Sequence, residues 1–153
     1  MKVKPAVIAL IMLGVYLIST IAFVGLQSGR SNTELPKDNI LDYKLDFQLR
    51  DAFIYYGSTI LTFEYSSSCD NCFEQKGFLE NMASQFKQVV ASDPNNQVFS
   101  IYLEELVNET IEPSKLAIES KLGNITLSNP TQNETFDAIC DLMFSPPTIC
   151  AAR

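Results

Sequence analysis

Ser58-Thr-Ile-Leu-Thr-Phe-Glu-Tyr65, then Ser66-Ser-Ser68, then Cys69-Asp-Asn-Cys72 and the run from Phe73 form the stretch on which the fold turns. The first eight residues are largely β-branched and aromatic, with the length of a buried strand. The three serines read as a loop. After Cys72 the period changes. Phe73, Leu79, Met82, Ala83, Phe86, Val89 and Val90 recur at helical spacing to about Ser92, where Asp93-Pro94 stops the run. Two cysteines two residues apart therefore sit where a strand hands over to a helix. A helix N-terminus carries partial positive charge and unpaired N–H groups, and both stabilise a thiolate. Cys69 is expected to be exposed with a lowered thiol pKa. Cys72, one turn on, is expected to resolve a mixed disulfide.

Upstream of this stretch, Leu45 to Tyr56 holds Phe47, Leu49, Phe53 and Ile54 as apolar anchors and reads as a short helix ending at Gly57. Downstream, Gln97–Leu103 reads as a second strand. Pro113–Leu122 reads as a helix, with proline near its start and Gly123 past its end. Residues 123–132 read as loop, Glu134–Leu142 as a short helix and Thr148–Ala152 as a last short strand. The order β-α-β-α-α-β, with a crossover helix between the first two strands, argues an α/β fold with parallel pairing.

At the N-terminus, no residue from Pro5 to Leu26 is charged. A run of roughly 20 apolar residues spans the hydrocarbon core of a bilayer as a helix. Lys2 and Lys4 precede it and the next basic residue is Arg30, so the N-terminus is expected to stay in the cytoplasm and the rest to lie outside. A cleaved signal peptide competes with this reading. Its apolar region would be shorter, about 7–15 residues, and Phe23-Val24-Gly25-Leu26-Gln27 offers no small-x-small cleavage site. The expected organisation is a cytoplasmic tip 1–4, a transmembrane helix 5–26, a linker 27–44 and one domain 45–153. The protein is expected in the cell membrane as a single-pass chain.

Composition narrows the chemistry. The segment after the apolar run holds all 18 acidic residues, while two of the 11 basic ones, Lys2 and Lys4, precede it. Such a surface repels phosphate backbones, so no nucleic-acid partner is expected. The chain has no histidine, which removes Ser-His-Asp and Cys-His sites and any histidine metal site. Phe73 after Cys72 excludes a c-type haem attachment signal. Three sequons, at Asn108, Asn124 and Asn133, are compatible with glycosylation outside the cell and also arise by chance.

The strand Thr59–Tyr65, the Cys69-Asp-Asn-Cys72 pair, the long helix after it and Ser145-Pro-Pro-Thr148 together resemble a thioredoxin-like thiol–disulfide oxidoreductase, over about residues 45–153. The resemblance implies a cis-proline that precedes a strand, faces the redox pair, keeps metals off the thiols and offers backbone to substrate. Pro147, between Ser145 and Thr148, fits that place; Asn129-Pro130-Thr131 is the rival match, but no strand is expected after it. The resemblance also implies a buried acid beneath the second cysteine. Glu64 is the nearby candidate for such a proton relay, although an ungapped alignment puts Phe63 there. Ser68 replaces the family's bulky residue before the first cysteine. Asp70 opposes the helix dipole and tends to raise the Cys69 thiol pKa. The family's final strand and helix are not legible before Arg153, so a C-terminally trimmed thioredoxin-like sheet with flanking helices is expected.

The reading that follows is membrane-anchored thiol–disulfide exchange by Cys69 and Cys72 on extracytoplasmic proteins. It needs no organic cofactor and passes electrons through a redox partner protein. A non-catalytic ectodomain that binds a partner protein is the alternative, with Cys69–Cys72 as a structural bridge. Cys140 and Cys150 read as a structural disulfide, as buried free thiols, or as neighbours of the active pair. A zinc site of Cys69, Cys72, Cys140 and Cys150 is a third reading, weakened by the nine-residue spacing of its second half.

Overall fold

The computed structural model describes residues 35–92 and 97–152. The apolar run 5–26, the tip 1–4 and the first part of the linker lie outside the described residues. Among the described residues no helix is long and apolar enough to cross a membrane.

The elements run β1 (Ile40–Leu41), α1 (Phe47–Tyr55), β2 (Thr59–Tyr65), α2 (Cys72–Gln85), β3 (Val89–Ser92), β4 (Gln97–Phe99), β5 (Ile101–Val107), β6 (Lys115–Ser120), β7 (Gly123–Ser128) and α3 (Gln132–Leu142). A 3₁₀ helix, Thr148–Ala152, follows. Five strands form one mixed sheet in the order β1-β5-β2-β6-β7. β1 and β2 pair parallel to β5, whereas β6 runs antiparallel to both β2 and β7. β3 and β4 make a separate antiparallel hairpin. This mixed sheet with helices on both faces, and with the cysteine pair where β2 passes to α2, fits a thioredoxin-like fold.

Alternation along the central strands builds two cores. Leu61, Phe63 and Tyr65 of β2 join Ile101 and Leu103 of β5 and Leu116 and Ile118 of β6 beneath α2 and α3. Ile60 and Tyr102 point the other way, to Phe53 of α1 and to Val98 and Phe99 of β4. Phe53 and Tyr102 stack with centroids 4.4 Å apart. The α1 face also buries charge. Arg50 donates to Glu104 at 2.5 Å, to Glu119 at 2.7 Å and to Thr62 at 2.8 Å, and the Glu104 side chain is wholly buried.

Several expectations change. The helix after Cys72 ends at Gln85, and Val89–Ser92 turns into the β3–β4 hairpin. Residues 113–122 are not a helix. Leu116, Ile118 and Ser120 are buried while Lys115 is exposed and Ala117 and Glu119 are less buried, a period of two that makes β6. Gly123, at φ +146°, opens β7 after a two-residue turn, where a loop is expected from sequence. β6 and β7 thus supply strands that the sequence reading leaves missing, so the sheet is not trimmed, while the helix expected over Glu134–Leu142 is present as α3. The final segment is a 3₁₀ helix rather than a strand. Nor does the linker extend to residue 44. Asn39 is buried, its side chain donates to the Ala83 carbonyl at 2.8 Å, and its own carbonyl accepts from Leu103 N at 2.7 Å.

Candidate active site

β2 ends at Tyr65 and a short turn carries the chain to α2. Cys69 N donates to the Ser66 carbonyl at 3.1 Å, which folds the three serines back under the first cysteine. Cys72 is the first residue of α2. The N-cap residue, Asn71, makes no side-chain cap hydrogen bond, while Cys72 N donates to the Cys69 carbonyl at 3.4 Å. Cys69 and Cys72 form a disulfide. Cys69 is half-buried, whereas Cys72 is 1% exposed and part of the core beneath α2. The two sulfurs are thus unequal. An attacking thiolate or an incoming thiol meets Cys69 first.

Around this pair the structure assembles a frame. Gln75, one turn into α2, donates to the Pro130 carbonyl at 2.7 Å and accepts from the Ser114 hydroxyl at 3.3 Å. Asn129 N, in the β7–α3 loop, donates to the Ser114 carbonyl at 2.8 Å. One glutamine therefore joins α2, the start of β6 and the β7–α3 loop. A cleft of about 290 Å³ opens there, lined by Asn71, Glu74, Gln75 and the residues Asn129 to Gln132. Pro130, the rival proline of the sequence reading, is on this wall.

Pro113 precedes a strand, as the resemblance implies for the proline, whereas Pro147 leads into a 3₁₀ helix. Pro113 precedes β6, the antiparallel neighbour of β2, and its bond to Glu112 is cis. Ser145, Pro147 and Thr148 lie elsewhere. Pro147 accepts from Cys150 N at 2.9 Å, and the neighbouring Ile149 lines a cleft with Phe78, Met82 and Phe86, well along the chain from Cys72. From sequence, residues 148–152 read as a strand and 115–120 as part of a helix, which points to Pro147; the structure makes 115–120 the strand and 148–152 a 3₁₀ helix. Cys140 and Cys150 form a second disulfide, both residues buried, joining α3 to the 3₁₀ helix. The four cysteines therefore close as two pairs rather than one tetrad.

Glu64 does not lie beneath Cys72. Side chains alternate along β2, and Phe63 takes the cysteine face, so Glu64 projects to the other side of the sheet. The acid on the cysteine face is Glu105, which stands beside Phe63 in register on β5. Its side chain is only 9% exposed, and one carboxylate oxygen is buried without a hydrogen-bond partner. Burial pushes the Glu105 carboxyl above its ordinary range, against the pull of Lys76. Lys76, four residues after Cys72 on α2, pairs with Glu105 and with Glu80, and the bond to Glu105 holds its ammonium above the ordinary value. Reading Ile101–Val107 with a period of two from a buried Leu103 would have placed Glu105 on this face.

No family model and no curated protein matches the chain. Among solved structures, the first thioredoxin domain of mouse protein disulfide-isomerase A4 aligns with a TM-score of 0.40 at 18% identity, over 78% of this chain and 89% of that one. At so low a score the fold is read from the strand order and the place of the cysteine pair.

Proposed function

We propose that the chain is a membrane-anchored protein that exchanges disulfides with extracytoplasmic proteins through Cys69 and Cys72. The observation that carries this reading is the inequality of the pair: a partly exposed Cys69 joined to a buried Cys72 at a helix N-terminus without a side-chain cap. The reduced pair acts as follows. The Cys69 thiolate attacks a substrate disulfide, forms a mixed disulfide and releases one substrate thiolate. Cys72 then loses its proton and attacks Cys69, closing the Cys69–Cys72 disulfide and releasing the second substrate thiolate. Two electrons pass to the substrate, and its thiolates take up two protons. The reverse sequence oxidises a substrate dithiol. Glu105, raised by burial and on the same sheet face as Cys72, takes the Cys72 proton in the closing step. The Gln75–Ser114–Pro130 frame and its cleft receive the substrate chain, and a redox partner protein resets the pair. The uncharged run from Pro5 to Leu26 behind Lys2 and Lys4 supports the anchored, outward-facing placement.

Trapping tests this directly. With Cys72→Ser in the full-length chain, Cys69 should hold a protein substrate in a reducible adduct; with Cys69→Ser no adduct should form. If neither variant traps a partner and the wild-type pair exchanges with no disulfide, the pair is structural and the domain is a binding module.

A further inference from the structure

Glu109, in the loop between β5 and β6, has no part in the exchange reading, and its carboxylate is bonded to the loop that presents Cys69. The loop from β5 to β6 starts in order. Asn108 N donates to the Tyr65 carbonyl at 2.8 Å, and the Asn108 side chain accepts from Thr110 N at 3.1 Å and from its hydroxyl at 2.7 Å. From this turn the Glu109 carboxylate crosses to the serine loop. It accepts from the Ser66 hydroxyl at 2.9 Å and, at 3.4 Å, from Ser67 N. The Ser66 hydroxyl also lies 2.8 Å from the Ser68 hydroxyl. A hydroxyl has one proton to give. Ser66 gives its own to Glu109, so Ser68 must donate to Ser66. Ser66 also accepts from Ser68 N at 3.3 Å. Carboxylate, Ser66 and Ser68 thus form a directed chain that ends on the residue before Cys69, while the Ser66 carbonyl holds Cys69 N.

Resting on the exchange reading, we infer that Glu109 is a positioning residue for that reaction: it fixes the loop that aims the Cys69 sulfur, and its charge opposes formation of the Cys69 thiolate. The first effect comes through bonds, the second through space, and they act on rate in opposite directions. Hydrogen bonds from Ser67 and Ser66 hold the Glu109 carboxyl below its ordinary range, so it is an anion at neutral pH. Asp70, beside Cys69, and Glu74, in the first turn of α2, add charge of the same sign. Helix-terminus stabilisation of the thiolate is therefore set against three nearby carboxylates.

Two substitutions separate the effects in the full-length chain. Glu109→Gln keeps an acceptor for Ser66 and removes the charge. Glu109→Ala removes both. The readouts are the Cys69 thiol pKa, from alkylation rate against pH in the reduced protein, and the exchange rate with the neutral hydroxyethyl disulfide. In E109Q the thiol pKa should fall, raising the thiolate fraction about threefold at a pH below it, and exchange should quicken. In E109A the pKa should fall equally, yet exchange should drop below wild type by about fivefold as the loop loses its aim. An unmoved thiol pKa in both variants overturns the inference, even where both slow equally, because Glu109 is then only a structural support. The pKa is read without any exchange partner, so a wild-type pair inert toward hydroxyethyl disulfide counts against the exchange reading and not against the electrostatic role of Glu109.

Discussion

The two disulfides of this domain stand in opposite surroundings. Cys69–Cys72 closes across one helical turn, with a half-exposed sulfur bearer at the end of a serine loop and a buried one at the start of α2. Cys140–Cys150 joins α3 to the 3₁₀ helix, with both residues in the core. The first encloses two residues and constrains little of the unfolded chain. The second closes a loop of about ten residues and removes real chain entropy from the unfolded state. Accessibility and loop length, rather than the sulfur–sulfur bond itself, divide a bond suited to exchange from one suited to holding the fold.

Substitutions should separate the two cleanly. Cys69→Ser should abolish exchange with a neutral disulfide, while Cys140→Ala combined with Cys150→Ala should leave it within about twofold of wild type; exchange lost in both would break the distinction. Stability should move the other way. Arg50→Ala, which strands the buried Glu104 carboxylate on the far sheet face, should cost about 3–5 kcal/mol in a denaturant titration and leave the potential of Cys69–Cys72 unmoved. Removing Cys140–Cys150 should cost about 3 kcal/mol in the same assay, whereas Cys69→Ala with Cys72→Ala should cost less.

Smaller effects sharpen the picture around each bridge. Thr131 caps α3 in a reciprocal box with Glu134, at the mouth of the cleft. Thr131→Ala should cost about 1 kcal/mol by thermal unfolding, without changing the thiol pKa of Cys69. Glu105→Gln should change the pH dependence more than the stability at any one pH. Burial raises the folded carboxyl above its unfolded value, so its contribution is fully present below about pH 4.5 and is lost as pH rises through the higher folded value. E105Q lacks that loss and should gain stability relative to wild type as pH rises across that window, in denaturant titrations at stepped pH. The same variant should slow closure of the Cys69–Cys72 disulfide.

Much of the site could be read in sequence because two periods meet at it. A β-branched run, a serine loop and a helical apolar stripe fix the strand, the cysteine pair and α2 without reference to the rest of the chain. The hairpin Lys115–Ser128 could not be read the same way. Pro113 and Gly123 punctuate it as they would a helix, and six residues per strand are too few for alternation to outweigh those signals. That one misreading carried others with it. With β6 and β7 read as helix and loop, the sheet reads as trimmed and Pro147 reads as the proline that precedes a strand. Glu64 failed for a different reason, a parity of one residue. Side chains on adjacent strand positions face opposite sides, and only the burial of Phe63 tells which side holds Cys72. The Glu109–Ser66–Ser68 chain lies beyond sequence reading altogether, since it joins loops 43 residues apart.

The most direct measurement is a glutathione titration of the full-length chain, with both disulfides read separately by thiol alkylation and mass. We expect Cys69–Cys72 to reduce between about −120 and −270 mV, in the range of exchange catalysts, while Cys140–Cys150 stays oxidised until below about −300 mV. If Cys69–Cys72 also resists reduction below about −300 mV, it is a structural bond and the exchange function is wrong.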